Sequence, residues 1–371
     1  MMPTLRQVVA GLDAAYPPRL AEPWDAVGLV CGDPDDPVRS ALVCVDVTDG
    51  VVGEALESGA DLIVAHHPLL MRGVDSVAAD TAKGRLIHQL IRGGCALYSA
   101  HTNADKVRGG VSDALADVLG VRDTVPLEPE PVAPLDKWVV MVPEGSAEQV
   151  AEAMFNAGAG ALGDYTDCLW SVVGTGQFRP ADGASPAIGA VGDLTRVDEE
   201  RLEMVAPKGL RATVLAALRA AHPYEEPAFD VFAQAPIGSD IGLGRVGTLA
   251  EPMPLREFVS HAARVLPRAA WGIRAAGDPG ALITTVAVCG GAGDSLIGAA
   301  TAAGADVYLT GDLRHHVVDE ALRAGSPALI DAGHWATEFP WCVSAVEQLA
   351  RIGCPATVYL PPTDPFTVVP A

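Results

Sequence analysis

The chain has 371 residues, 49% of them hydrophobic and 19% charged, a composition that supports buried cores and excludes a disordered polymer. Its 25 Lys and Arg against 47 Asp and Glu give a formal charge of -22, which repels phosphate backbones and anionic lipid and so excludes nucleic-acid binding by a broad basic face. Seven scattered cysteines without a C-x-x-C pair argue against a disulfide framework or zinc ribbon. With no signal-peptide core and no apolar run near the roughly 20 residues that span a bilayer, a cytoplasmic protein is expected.

Apolar, β-branched runs at 41 to 48, 61 to 69 and 95 to 105 predict buried strands, separated by GVVGEALESGA and KGRLIHQLIRGG, which have helical spacing. Strands alternating with helices predict a mostly parallel sheet. In the second run His66 and His67 end the strand, and Pro68 forbids its continuation inside a ladder. Neighbouring strand residues face opposite ways, so both imidazoles can serve one site only where the backbone turns. That is the carboxyl edge, where open α/β folds place ligands. The third run ends on His101 and Asp105.

Pro126, Pro129, Pro131 and Pro134, with Glu128 and Glu130, read as a linker. Beyond it KWVVMVP predicts a strand and AEQVAEAMFNAGA an amphipathic helix. A Gly-rich middle leads to RLEMVAP, LRATVLAALRAAHP and AFDVFAQ. Two successive β-α-β passes of this kind predict a ferredoxin-like α+β domain inserted into the larger fold. Within it, His222-Pro223-Tyr224-Glu225-Glu226-Pro227 reads equally as a rigid connector and as a functional segment.

The first pattern then returns at 284 to 291, 305 to 312, 327 to 334 and 356 to 362. Val43-Cys44 and Ala60-Asp61 match Val288-Cys289 and Ala305-Asp306 at one constant offset, and His101 with Asp105 rhymes with His334 and Glu338. The chain therefore reads as an imperfect duplication: an α/β lobe at 1-130, the inserted domain at 131-235, and a related α/β lobe at 236-371 packing with the first.

Five metal-competent groups collect at equivalent strand ends: His66, His67, Asp105, His334 and Glu338. Imidazole and carboxylate without thiolate suit zinc, iron, manganese or cobalt in an open site. The set exceeds what one catalytic ion with a free position needs and matches two ions sharing a carboxylate. Glu338 is the expected bridge, with His67 and Asp105 on one ion and His66 and His334 on the other. His101, Asp312, His315 and His316 compete as ligands or supports, His101 by hydrogen-bonding a ligand carboxylate. Asp46 and Asp331 read equally as helix caps or loop anchors and as catalytic acids. Gly290-Gly291-Ala292-Gly293 is a weak phosphate cradle or a tight βα turn.

The segments WDAVGLVCGDP, DLIVAHHPLL, YSAHTNAD, HPYEEPAFDV, YLTGDLRHH and DAGHWATE, in this order along nearly the whole chain, resemble the GTP cyclohydrolase I type 2 homologues, also called NGG-interacting-factor-like proteins. The resemblance implies two divalent metals on His66, His67, Asp105, His334 and Glu338. It also implies a PII- or CutA-like inserted domain and a homohexameric ring with the metal sites facing an internal cavity. The activity it implies is hydrolysis of a nucleotide or related heterocycle, GTP in the named version, by a metal-activated water with His101 as acid or base. A non-catalytic metal-binding adaptor or metal-handling protein, and phosphoester hydrolysis by the same ions, are the competing expectations.

Overall fold

The apolar runs become short strands whose side chains are buried on both faces. In the computed structural model, which describes residues 2–131, 134–235 and 238–368, the first are β1 (Gly28–Cys31), β2 (Ala41–Cys44), β3 (Leu62–Ala65), β4 (Ala96–Ser99) and β5 (Val121–Pro131). Then come β6 (Leu135–Pro143), β7 (Trp170–Phe178), β8 (Thr195–Pro207) and β9 (Phe229–Ala233). The last are β10 (Gly238–Pro254), β11 (Arg274–Ala276), β12 (Leu282–Ala292), β13 (Val307–Gly311), β14 (Ala328–Asp331) and β15 (Ala356–Val358). The chain divides into two units, Met1–Glu130 with Ser239–Ala371, and Pro131–Gly238. The boundary expected at Pro236 lies outside the described residues.

The first unit holds two sheets, ordered β1-β4-β3-β2-β15 and β11-β14-β13-β12-β10-β5. Each has a parallel centre, β2-β3-β4 and β12-β13-β14, flanked by an antiparallel strand, β1 on β4 and β11 on β14. The duplication extends to single hydrogen bonds. Ala41 pairs with Leu62 as Val286 pairs with Val307. The Asp61 amide donates to Ser40 O as Asp306 donates to Thr285 O. The Asp61 carboxylate accepts the Arg39 and Ser40 amides, and that of Asp306 accepts the Thr284 and Thr285 amides. Gly59 and Gly304, with φ of 72° and 69°, turn the chain out of the preceding helices where a side chain would be strained.

Two expectations need correction. The proline-rich stretch is mostly strand: β5 takes the outer edge of the second sheet, where a strand has one unpaired side and tolerates Pro126, Pro129 and Pro131. The last strand, expected in the second lobe, pairs in parallel with β2 of the first sheet. An apolar run signals burial and does not say which free sheet edge it will join, so lobes divided at 130 and 236 do not coincide with the sheets.

Helices exchange in the same way. Trp341, Cys342, Ala345 and Leu349 of helix Pro340–Arg351 enter the core under the first sheet, with Val43, Leu62 and Tyr98. Leu115 and Ala116 of helix Val111–Val118 enter the core of the second, with Val286, Leu309 and Ile330. Each sheet thus buries part of the other half of the sequence.

The second unit is one antiparallel sheet, ordered β7-β8-β6-β9, with helices Ala147–Asn156 and Arg211–Ala221. Val150 and Met154, four apart on the first helix, and Val214 and Leu218, four apart on the second, pack with Trp138, Val140 and Leu202. The β-α-β-β-α-β order with this strand arrangement is ferredoxin-like, so the chain is an α/β protein with a ferredoxin-like α+β unit between two stretches of its sequence. Among the described residues no helix is long and apolar enough to cross a membrane.

Candidate metal centre

The His-His pair follows β3 immediately. The His66 amide donates to Cys44 O and the His67 amide to Val45 O, so the chain still borders the end of β2 as it bends. The bend brings both rings to one side, with centroids 5.1 Å apart. His101 follows β4, and Asp105 lies one turn further along helix Thr102–Lys106. His334 and Glu338 begin and end helix His334–Glu338, entered through Gly333 at φ 87°. All are at the carboxyl edges of parallel strands.

Glu338 is the centre of the cluster, its side chain 4% exposed. His334 Nε2 lies 3.0 Å and His66 Nε2 3.5 Å from its Oε1, and His67 Nε2 lies 3.2 Å from its Oε2. His66 Nε2 is also 3.7 Å from Asp105 Oδ1, and His67 Nε2 is 3.3 Å from His334 Nε2. Two convergent sets result, His66 with His67 and His101, and His67 with His334 and Glu338. Asp105 joins neither set but approaches His66, so the distances associate His66 with Asp105 and His67 with His334, where the sequence led to the opposite division. Strand register, which decides which imidazole faces which lobe, cannot be read from an adjacent pair.

Each imidazole is locked by its other nitrogen. His67 Nδ1 lies 2.7 Å from Asp46 Oδ1, His334 Nδ1 2.7 Å from Asp312 Oδ2, His101 Nδ1 2.8 Å from Asp25 Oδ1, and His66 Nδ1 2.8 Å from Ala100 O. Carboxylates and carbonyls only accept, so every Nδ1 carries the proton and donates it. In the neutral rings each Nε2 then presents a lone pair, and those of His66, His67 and His334 face the Glu338 oxygens. Cations or extra protons must resolve that repulsion. Among the described residues His66 Nε2 and Glu338 Oε2 are buried without a hydrogen-bond partner of good geometry, a costly arrangement unless a cation satisfies both.

The proton affinities carry the same message. Burial alone would lower His67, yet Glu338 and Asp46 push it up to about 11. Burial likewise opposes His334, which Glu338 and Asp312 push up to about 9. His66 is raised, burial being outweighed by Glu338 and Asp105. Burial would raise Glu338, but His67, His66 and His334 hold it well below the carboxylate range. Asp105 is raised, chiefly by burial. The cluster demands positive charge, which divalent ions supply more compactly than protons. A His and carboxylate donor set fits such ions, and the Nδ1 partners are the supports that metal-binding histidines need.

Other sequence candidates fall elsewhere. His315 and His316 open helix His315–Arg323 and join neither convergent set. Asp331 is held by Arg274 at 2.6 Å and accepts the Leu313 amide. Gly291 lies against the cluster, since a Cβ there would meet Glu338 Oε1 at 2.4 Å and His334 Nε2 at 3.3 Å. That contact explains a glycine where a phosphate cradle was considered. The sequence does not mark Asp25, and it offers Asp46 equally as a helix cap, a loop anchor and a catalytic acid. Asp46 and Asp312 follow β2 and β13, so an acid at the carboxyl end of a parallel strand was the available signal. Nothing local marks Asp25. A cavity of about 210 Å³ opens onto the cluster, lined by His67, His334, Asp46, Asp312, Trp271 and Phe366.

Fold and site together define a class: an α/β protein of two duplicated sheets whose carboxyl edges share a histidine- and carboxylate-lined candidate metal site. The profile of the Duf34/NIF3 (NGG1p interacting factor 3) family matches residues 3–359, and the chain belongs to that family. A Mycobacterium tuberculosis protein named GTP cyclohydrolase 1 type 2 homolog is 56% identical over 368 residues, 98% of this chain and 97% of its own. A Bacillus subtilis protein of the same name is 41% identical over 331 residues, 89% of this chain and 88% of its own. Among solved structures, a Bacillus cereus protein related to NIF3 superposes with TM-score 0.70 at 37% identity, covering 100% of both chains.

Proposed function

We propose that the cluster holds two divalent metal ions, bridged by Glu338, and that the chain is a metal-dependent hydrolase acting on a nucleotide or related heterocycle. The observation that carries this reading is the approach of His67 Nε2 to His334 Nε2, 3.3 Å, beside a buried carboxylate and with both Nδ1 atoms fixed by aspartates. When bound, such ions acidify water and polarise an electrophile. His66 and Asp105 would hold one ion, His67 and His334 the other. His101, its Nδ1 donating to a buried Asp25, keeps Nε2 for exchanging a proton with substrate or for completing the first ion's ligands.

The cavity mouth favours a substrate with a flat, apolar part, because Trp271 and Phe366 line it with ring centroids 4.8 Å apart. Among the described residues no lysine or arginine lines that cavity, so an anionic substrate would rely on the ions for its countercharge. A cytoplasmic location, expected from the scattered cysteines, and the homohexameric ring that the family resemblance implies belong to the same proposal, and light scattering measures the second. The decisive experiment loads purified protein with zinc, iron or manganese, verifies the metal content, and screens GTP and a metabolite extract for turnover against Glu338→Ala. Products formed by wild type alone support the hydrolase. No turnover by any verified metal form overturns it in favour of a non-catalytic metal-binding role.

A further inference from the structure

The HPYEEP segment of the second unit has two parts that do different things. His222 is structural: its Nε2 donates to Met141 O at 2.9 Å and its Nδ1 accepts the Tyr224 amide at 3.1 Å, so both nitrogens are used by backbone. This clamp, with Pro223 and Pro227 on either side, fixes where Tyr224, Glu225 and Glu226 point. All three line a cavity of about 260 Å³, together with Phe178, Glu199 and Ile188.

The cavity is constructed from three directions. Phe178 and Tyr224 meet edge to face with centroids 5.7 Å apart. Glu225 Oε1 accepts the Ser185 amide at 2.9 Å, which ties the 179 to 194 loop, source of Pro180, Pro186 and Ile188, into the lining. On the sheet, Gly176 makes room for Glu199, because a Cβ there would collide with the Glu199 carboxylate. Tyr224 Oη is shielded from solvent and has no hydrogen-bond partner of good geometry among the described residues, the Glu199 carboxylate lying near it. Burial, and next the charge of Glu199 and a hydrogen bond toward it, push this phenol up to about 12, so it keeps its proton.

The lining excludes two ligand classes. Among the described residues it carries three glutamates and no lysine or arginine, which repels anions. Its acids do not converge on a point as the metal-competent groups of the first unit do, and the remaining walls are proline, alanine, isoleucine and aromatic carbon with the Gln177 amide, whose oxygen already accepts from Arg196 Nε, so they offer a bare metal ion little. Separated carboxylates around an aromatic and aliphatic wall suit a cation that carries its own apolar body, combining ion pairing with cation–π attraction. We propose that this cavity is a binding site for a small organic cation, a primary ammonium or guanidinium group on a short apolar stem.

The test is calorimetric titration of the full chain with n-pentylammonium at about 0.15 M salt, where the Debye length of about 8 Å screens diffuse attraction to the acidic surface. Pentanoate is the control of equal length and opposite charge. Saturable binding of the amine at one site per chain is expected, with no heat from pentanoate. Glu199→Gln, close in shape to the original, should weaken binding at least tenfold, and Glu226→Gln at the exposed rim provides a second variant that leaves the buried core untouched. Both should keep the wild-type metal content. Absence of saturable binding, equal binding of pentanoate, or unchanged affinity in both folded variants overturns the proposal.

Discussion

His67 Nε2 and His334 Nε2 stand 3.3 Å apart although 267 positions separate them in sequence. Two imidazoles, each with its proton fixed on the far nitrogen, do not approach this closely by preference. Glu338, reaching both and His66 as well, is the group on which the arrangement depends. Replacing it with alanine removes the shared carboxylate, so Glu338→Ala should lose both ions. His66→Ala should lose chiefly the ion shared with Asp105. Elemental analysis of the purified variants distinguishes them, and full metal in Glu338→Ala rules out the bridge.

The gathering of these histidines and carboxylates was legible because it is written in short motifs at strand ends. HHP, HTNAD and GHWATE each follow an apolar run, and a duplicated fold brings such ends together. The pairing within the set was not legible, since adjacent His66 and His67 are equivalent until the bend after β3 is known. Strand exchange was hidden for a similar reason: the run giving β15 says only that it is buried. Asp25 lies before β1 and reaches His101 across 76 positions, a relation no local pattern encodes. The inserted unit was readable through the four-residue spacing of its helices, whereas β7 lay concealed in a Gly-rich stretch whose residues are almost all exposed.

Metal uptake should release protons. In the metal-free protein His67 and His334 are raised to about 11 and about 9, so both are charged at neutral pH and must lose a proton to bind. Affinity should therefore keep climbing from pH 7 to pH 9, above the range near 6.5 where ordinary imidazoles have already deprotonated. Calorimetry in buffers of different ionisation enthalpy counts the protons, with on the order of two expected per pair of ions. A count near zero at pH 7 would contradict the charge balance proposed for the cluster.

Asp46 and Asp312 should matter through the imidazoles they hold. Asp312 adopts φ 56°, an uncommon backbone for a residue with a side chain, and from there its carboxylate meets His334 Nδ1 at 2.7 Å. Asp46→Asn and Asp312→Asn keep the shape and remove the charge. Each should lower metal affinity by roughly 10- to 100-fold, read by competition with a chelating dye, while urea midpoints stay near wild type. Unchanged affinity in both would make the aspartates incidental.

Arg245 is completely buried and joins the halves of the first unit. On β10, its Nε and Nη2 donate to the Asp113 carboxylate at 2.8 and 3.0 Å, and its remaining donors reach the Gly242, Gly244 and Val107 carbonyls. Arg245→Met leaves Asp113 a buried charge without its main partner, at a cost of about 3–5 kcal/mol. Urea unfolding measures this directly, and a loss under about 1 kcal/mol would mean that water replaces the guanidinium.

Gly291 tests the geometry of the centre without altering a ligand. Its amide donates to Thr337 Oγ1 at 2.9 Å and its carbonyl accepts Thr310 Oγ1 at 2.9 Å, so the backbone is held and cannot retreat. At φ 67°, an alanine would be strained by roughly 1–2 kcal/mol. Its methyl would then occupy the space 2.4 Å from Glu338 Oε1, and the carboxylate would have to turn off the imidazoles. Gly291→Ala should therefore fold with a modest loss of stability and bind substantially less metal than wild type. Gly298→Ala is the matched control: it lies in helix Ile297–Ala302 with open space around its Cβ position, and there alanine should leave metal content unchanged and add up to about 1 kcal/mol of stability. Full metal occupancy in Gly291→Ala would show that Glu338 has room to move, and would remove the steric basis for a fixed bridge.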